Sequence, residues 1–187
     1  MAHRDGVGIP ERVGDPQEVD YSRSAAAADF GPLARDRIPI RGIREGDLRA
    51  VTAIDRESTG RDRANYFTGK FAEALYESDV RVSLVAELDG RPVGFIMARV
   101  DLGDFGRTEP TAELDTIGVL PDYRVQGVGR ALLSQLMANL ASLRVERILT
   151  EVDWDSGDLL AFLARCGFQP SSCLAFDRPI RRAAADT

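Results

Sequence analysis

The segment YRVQGVGRALL, residues 123–133, places two glycines, separated by one residue, where a loop turns into an amphipathic helix. Glycine inside a helix costs about 1 kcal/mol relative to alanine, so Gly127 and Gly129 are expected to serve another purpose. Two interpretations stay open. The glycines make a tight turn and allow close helix-to-strand packing, or they let an anion reach the unpaired N–H groups at the helix start.

The residues on both sides of this segment predict a strand, a loop and a helix. TAELDTIGV, residues 111–119, is expected to form a strand that ends just before Pro121. After the glycines, apolar residues recur at 128, 132, 136, 140 and 143, which is one face of a helix. The segment is neither a Walker loop, which ends in Gly-Lys-Ser/Thr, nor a dinucleotide fingerprint, which needs a third glycine.

The remaining periodic segments extend this unit into an α/β fold. The Asp89-Gly90 pair predicts a β-hairpin, and Asp47 is a candidate N-cap. Asp155 or Ser156 is expected to cap a late helix that Gly167 ends. The expected order is a strand at 38–43, helices at 47–57 and 62–77, strands at 80–88, 91–101 and 111–119, a helix from 128, a strand at 146–152, a helix at 155–168 and a strand at 172–180. We expect a mixed, mostly antiparallel central sheet flanked by helices.

Composition limits the class of protein. A chain of 187 residues with 44% apolar content suits one domain, and a net charge of -6 argues against a general nucleic-acid binder. No run approaches about 18 apolar residues and no signal peptide is evident, so a cytoplasmic location is expected, with no membrane partner. Two cysteines and a single histidine, His3, indicate neither a disulfide scaffold, nor a metal site, nor histidine-based catalysis.

Residues 1–37 differ from the rest of the chain. They mix glycine, proline, alanine and charged residues without a stable period. Such composition offers little apolar surface to offset the entropy of ordering. We therefore expect a mobile N-terminal arm over 1–37 and a single folded domain over 38–183.

The segment IGVLPDYRVQGVGRALL, residues 117–133, resembles motif A of the GNAT superfamily, the acyl-CoA-dependent N-acetyltransferases. The signature is Arg/Gln-x-x-Gly-x-Gly/Ala, and Arg124, Gly127 and Gly129 fill it in order. AFLARCGF, residues 161–168, is similar to the helix of that family that ends in Gly-Phe. The resemblance implies a GNAT-like fold, acetyl-CoA as acetyl donor and no metal.

The resemblance also implies where the cofactor lies. Backbone groups of 125–130 would hold the CoA pyrophosphate, and the end of the preceding strand would pair with the pantetheine arm. The implied cofactor-binding residues are Ile117, Val119, Arg124, Val125, Gln126, Gly127, Val128, Gly129, Arg130 and Ser156. Two positions depart from the family. Val125 stands where glycine is frequent, and Leu163 stands where many members have a tyrosine thought to protonate the leaving thiolate.

Three carboxylates are candidates for a general base. Transfer to a primary amine needs the neutral amine, and a nearby carboxylate can accept its proton. Glu113 and Asp115 share one face of the third long strand by alternation, although a bulge would change their directions. Glu151 is expected in the next strand, beside the cofactor arm. Different GNAT branches place a glutamate base at the positions of Glu113 and Glu151, so the choice stays open.

Several other residues have simpler interpretations. Without a histidine partner, Cys166 is expected to be a small buried residue rather than a nucleophile. Trp154, Phe162 and Phe168 are interpreted as core or cleft wall. The acidic loop that contains Asp101, Asp104 and Glu109 is interpreted as a solvated turn, with attraction of a cationic amine as the alternative.

The sequence therefore predicts an acetyl-CoA-dependent N-acetyltransferase that works by direct transfer in a ternary complex. The partner is an amine-bearing acceptor, either a protein N-terminus or lysine or a small amine. A homodimer stays open. The alternative function is a GNAT-like domain that binds acyl-CoA as a sensor or interaction module without turnover.

Overall fold

A computed structural model describes residues 38–78, 80–101 and 110–172. The arm predicted over 1–37, the acidic residues Asp104 and Glu109, and almost all of the strand predicted over 172–180 lie outside these ranges. The helices and strands are β1 Ile40–Gly42, α1 Leu48–Thr59, α2 Ala64–Ala72, β2 Leu84–Leu88, β3 Arg91–Asp101, β4 Thr111–Val119, α3 Val128–Ser142, β5 Arg147–Leu149 and α4 Gly157–Arg165. Their order is the predicted one.

The five described strands form one sheet in the order β1-β2-β3-β4-β5. The first four strands pair antiparallel, and β4 pairs parallel with β5. The predicted mixed, mostly antiparallel sheet is thus confirmed. The hairpin between β2 and β3 turns at Asp89 and Gly90, both of which have positive φ, as a two-residue type I′ turn requires.

Each face of the sheet has its own core. Apolar residues of the sheet pack against α3 and α4 on one face, and the predicted stripe of Val128, Leu132, Leu136 and Leu140 is buried there. Leu143 is 39% exposed because α3 ends before it. On the other face α1 and α2 cover the sheet, with Phe67 and Phe95 in an edge-to-face ring contact.

Two local expectations need correction. The carboxylate of Asp47 makes no cap hydrogen bond to α1. It accepts instead from the Arg44 backbone N–H at 2.8 Å and from the Arg41 guanidinium at 2.7 and 2.8 Å, because the backbone of Asp47 is already helical. The helix predicted over 62–77 is α-helical only to Ala72, after which Glu73–Glu77 form a π turn.

None of the helices in the described part of the chain is long and apolar enough to cross a membrane.

Candidate functional site

Strand β4 separates from β5 partway along its length. The parallel pairing covers only residues 111–113 of β4, opposite Arg147–Leu149. The Thr150 hydroxyl then donates to the Leu114 carbonyl at 2.9 Å, one residue beyond the backbone pairing. Beyond that link, residues 116–119 pair only with β3 among the described strands. An open backbone edge follows, and we call residues 115–119 the β4 edge.

Backbone groups of the β4 edge point into this opening. The Leu120 N–H donates to the Val93 carbonyl on the β3 side at 2.9 Å. Because backbone groups alternate sides along a strand, Ile117 and Val119 direct theirs to the opposite side. The Val119 carbonyl accepts there from the Ser58 hydroxyl, at the end of α1, at 3.0 Å. The side chains of Ile117 and Val119 pack on the core between the sheet and helices α3 and α4, which is the larger of the two cores.

The start of α3 lies next in the chain and has no side-chain cap. Gly127 occupies the N-cap position, and its carbonyl accepts the first helical hydrogen bond, from Ala131 at 2.9 Å. The N–H groups of the first turn therefore have no acceptor within the helix. This turn contains Arg130 and no acidic side chain, and exposed Arg124 precedes it. Positive side chains beside the positive end of a helix dipole are favourable only if an anion joins them.

The two glycines have different roles. Gly127 has φ +87°, in the left-handed region that side chains disfavour. Gly129 has an ordinary backbone, but a Cβ there would lie 3.4 Å from two ring carbons of Phe162 on α4. The tight turn of the first interpretation is present at Gly127. At Gly129 a Cβ would make only ordinary van der Waals contacts, so close helix-to-strand packing does not require this glycine.

The loop that leads to α3 contains a strained residue. Val125 is fully exposed and has φ +57°, where a β-branched residue is rare. Its neighbour Gln126 donates to the Asp122 carbonyl at 2.7 Å, and the Arg124 guanidinium reaches the Ser58 carbonyl at 3.4 Å. Backbone strain of this kind is commonly retained at functional sites.

Glu113 and Asp115 lie on the face covered by α1 and α2, where β4 contains a β-bulge. Met97 pairs with Thr116 and Ala98 with Leu114, so Asp115 is the extra residue. Both carboxylates nevertheless share one face, because the guanidinium of Arg99 on β3 binds each of them at 2.5 Å.

Asp115 has a second cationic partner on α2. The ammonium of Lys70 lies 3.2 Å from Asp115 Oδ1 and 2.9 Å from Glu73 Oε2. The Asp115 side chain is 9% exposed, whereas that of Glu113 is 46% exposed. Burial lowers the pKa of Lys70, but its hydrogen bonds to Glu73 and Asp115 outweigh this, and the pKa rises above its usual value. Asp115 is thus bound between two cations, while Glu113 keeps solvent access.

Glu151 differs from both. It was expected within a strand, but β5 ends at Leu149, and Glu151 lies in the exposed segment after it. Backbone pairing stops at Leu149, and the next residue, Thr150, bonds to Leu114 through its side chain. Glu151 therefore follows directly after the link that closes one end of the opening beside the β4 edge.

The other candidates divide into exposed and buried residues. Trp154 is 93% exposed, so it is not part of the core, and its interpretation as cleft wall stays a prediction. Phe162 and Phe168 do pack on the larger core. Leu163 and Cys166 are buried at 5% and 6% exposure, and burial raises the pKa of the Cys166 thiol. A buried protonated thiol agrees with a packing role for Cys166.

The start of α4 needs one further correction. Ser156 occupies the N-cap position as expected, but neither it nor Asp155 makes a side-chain cap hydrogen bond. Ser156 is half-buried. In the described ranges, no three acidic, histidine or cysteine side chains are grouped closely enough to hold a metal ion.

Sequence reasoning missed three site residues, Ser58, Lys70 and Arg99. Each reaches β4 from a part of the chain distant in sequence or across a bulge, so no local pattern identifies it. The one available signal was that Lys70 is the only lysine in a chain whose other basic residues are arginines.

The described chain is thus an α/β protein whose mixed sheet opens between β4 and β5 beside an uncapped, glycine-flanked helix start. The sequence model of the acetyltransferase (GNAT) family matches residues 48–168, and the chain belongs to that family. It is similar to an N-alpha-acetyltransferase from Sulfurisphaera tokodaii, with 30% identity over 70% of this chain and 79% of the relative.

Solved structures show the same fold. The ribosomal-protein-S18-alanine N-acetyltransferase from Escherichia coli superposes with a TM-score of 0.60 and 24% identity, over 72% of this chain and 79% of that one. An aminoglycoside N-acetyltransferase in complex with CoA gives a TM-score of 0.63 at 19% identity, over 76% and 94% of the two chains. At these identities the likeness concerns the fold.

Proposed function

We propose that this protein transfers an acetyl group from acetyl-CoA to a primary amine by direct transfer in a ternary complex. The observation that carries the proposal is the open β4 edge directly followed by the uncapped start of α3. An amide-bearing arm can pair with such an edge as an added strand, and a pyrophosphate can accept from the first-turn N–H groups. CoA contains both parts, joined in that order.

The local charge supports an anionic ligand. The whole chain has a net charge of -6 and would repel a polyphosphate at long range. Arg124 and Arg130 are nevertheless exposed on either side of the α3 start. A bound pyrophosphate would offset both cations and the helix dipole together. The cofactor contacts proposed for the remaining loop residues, Val125, Gln126 and Val128, use backbone N–H groups.

Among the three carboxylates, we favour Glu151 as the general base. Glu151 is exposed beside the opening and makes no hydrogen bond or ion pair with the described part of the chain. Glu113 is the second candidate, because one of its oxygens is held by Arg99 and its side chain is half-exposed. Asp115 is the least suitable base, because its carboxylate is already paired with Lys70 and Arg99.

The reaction then needs few protein groups. The neutral amine attacks the thioester carbon, the C–S bond breaks, and the CoA thiolate leaves while the amine proton passes to the base, directly or through water. Leu163 is apolar and buried, so it donates no proton. A thiolate whose conjugate thiol has a pKa of about 8.5 leaves readily and can take its proton from solvent.

The acceptor to test first is an α-amino group of a protein. The similarity to an N-alpha-acetyltransferase at 30% identity supports this choice over a lysine or a small amine. One observation favours an alternative function. The buried leucine at position 163 removes the usual acid, as would suit a domain that binds acyl-CoA without turnover.

Thiol release from acetyl-CoA, measured with three matched acceptors, tests the proposal. The acceptors are a lysine-free peptide with a free N-terminus, the same peptide with a blocked N-terminus and one added lysine, and an aminoglycoside. We expect release above the acceptor-free background, largest with the first peptide. Tight acetyl-CoA binding without release for any amine would support the non-catalytic module and contradict the proposed activity.

A further inference from the structure

We infer that Lys70 is a positioning residue that fixes the bulge at Asp115 and, through it, the β4 edge that binds the cofactor. The inference rests on the proposed function, because it assigns the β4 edge to acetyl-CoA. Lys70 touches neither cofactor nor acceptor in this account. It acts through Asp115.

The first step of the argument is the place of the bulge. Residues 111–113 of β4 pair with β5, and residues after the bulge do not. A bulge bends its strand and increases the local twist. Asp115, the extra residue, thus lies where β4 turns away from β5 and begins to offer its backbone to the opening. Any change in the bulge moves the N–H and C=O groups of Ile117 and Val119.

The second step is how firmly the bulge is held. Asp115 Oδ1 forms two ion pairs. Arg99 Nη1 on the neighbouring strand lies 2.5 Å away, and Lys70 Nζ on α2 lies 3.2 Å away. The contact with Arg99 stays within the sheet, because Arg99 lies on β3 and its other partner, Glu113, lies on β4. Lys70 is the contact that ties the bulge to a separate layer of the molecule.

The third step is that α2 does not need this contact to stay in place. Phe67 and Phe71 anchor the helix in the smaller core at 0% and 4% exposure. Lys70 also holds Glu73, the first residue of the π turn, and single π turns inside helices occur frequently at functional sites. Lys70 therefore joins two irregular backbone sites, the bulge in β4 and the π turn after α2. Because aromatic residues already anchor α2, this ion pair agrees better with positioning the bulge than with attaching the helix.

Calorimetric titration with acetyl-CoA tests the inference with Lys70→Met, which keeps an apolar stem of similar length but loses the charge. We expect an affinity loss of about ten-fold, since ångström-scale misplacement of binding groups has effects of this order or larger. Lys70→Arg should restore most of the affinity, because a guanidinium can reach the same two carboxylates. Arg56→Met, which removes an exposed cation of α1 outside the site, is the matched control.

A spectroscopic readout separates positioning from mere stability. Lys70 is the only lysine, so protein grown on 13C-labelled lysine shows one set of lysine side-chain signals. Coupling between two sites is reciprocal: if Lys70 affects cofactor affinity, cofactor binding must alter Lys70. We therefore expect the Cε signal of Lys70 to shift as acetyl-CoA is added.

The outcomes distinguish this inference from the proposed function. If the unmodified protein binds no acetyl-CoA, the proposed function is wrong and the inference falls with it. If it binds, but Lys70→Met titrates like Arg56→Met and the lysine signal does not move, only the inference is overturned. A lower melting temperature for Lys70→Met with unchanged affinity would likewise overturn it, since Lys70 would then be structural.

Discussion

At the scale of single residues, the loop before α3 combines two conformations that side chains disfavour. Gly127 takes a left-handed backbone at little cost, whereas Val125 takes one at a cost that its full exposure does not offset. Sequence reasoning located this loop correctly through its glycines. It did not anticipate the strain at Val125, because φ is not visible in a residue pattern.

Replacing Val125 with glycine should stabilise the protein. The left-handed valine costs about 1–3 kcal/mol, and the added freedom of glycine in the unfolded chain costs about 0.4–1 kcal/mol. The net gain expected is about 1 kcal/mol, measured as a higher denaturant midpoint. Val125→Ala, which keeps a Cβ, should gain less. A glycine variant that unfolds earlier than the parent would show that Val125 is not strained.

Gly129 offers a test of charge at the helix start. Gly129→Glu should abolish acetyl-CoA binding, because a carboxylate would occupy the place of the pyrophosphate and repel it. Gly129→Gln separates bulk from charge and should bind more weakly than the parent but better than the glutamate variant. Calorimetry measures binding, and circular dichroism checks folding. Equal affinity of the parent and Gly129→Glu would exclude this pyrophosphate site.

The carboxylates can be ranked by the pH dependence of their variants. Glu151→Gln should lower the rate most near neutral pH and recover partly at about pH 9–10, where more of the amine is already neutral. Glu113→Gln should have a smaller effect. Asp115→Asn should alter acetyl-CoA affinity more than the pH profile. A pH-rate profile unchanged in all three variants would indicate that water chains, not a side chain, accept the proton.

At the scale of helices and strands, periodicity predicted nearly every described element, but not how the elements join. The alternation of TAELDTIGV predicts β4 yet hides its extra residue, since a bulge leaves the composition of a strand unchanged. The sequence therefore placed Glu113 and Asp115 on one face correctly but gave no sign of Arg99 between them. It extended β5 to 152, because the chain keeps its strand-like composition after backbone pairing stops.

The α1–α2 pair contains a buried charge that supports a prediction at this scale. Asp55 on α1 is 2% exposed, and its carboxylate binds the guanidinium of Arg63, which precedes α2. Arg63→Ala should lower the free energy of unfolding by about 2–3 kcal/mol, less than the 3–5 of a fully buried pair because Arg63 is partly exposed. Arg61→Ala, an exposed neighbour, is the control for chemical denaturation. Equal loss in both variants would contradict a specific Asp55–Arg63 contribution.

At the scale of the whole molecule, the sheet separates a larger core under α3 and α4 from a smaller one under α1 and α2. The β4 edge opens at the junction of these layers, with Ser58 and Lys70 reaching it from the α1 and α2 side. Sequence analysis predicted helices flanking the sheet, but not which helices share a face. It could not predict which polar groups meet at the junction, since that depends on how the two layers are placed.

The domain boundary gives a prediction for the full chain. A variant that begins at residue 38 should keep the melting temperature and the acetyl-CoA affinity of the full chain, because the composition of 1–37 offers little apolar surface to bury. Thermal melts and calorimetry of the two proteins check this. A clear drop in melting temperature would show that residues before 38 contribute to the fold.

Amide hydrogen exchange with and without acetyl-CoA tests the central claim, that the cofactor binds along the β4 edge and the start of α3. Exchange of N–H groups slows where they gain a hydrogen-bond acceptor or become buried. We predict slower exchange in peptides that contain residues 115–119 and 125–130 when acetyl-CoA is added, with little change in β1 or β2. Protection confined to other segments, or no protection at saturating acetyl-CoA, would contradict the account.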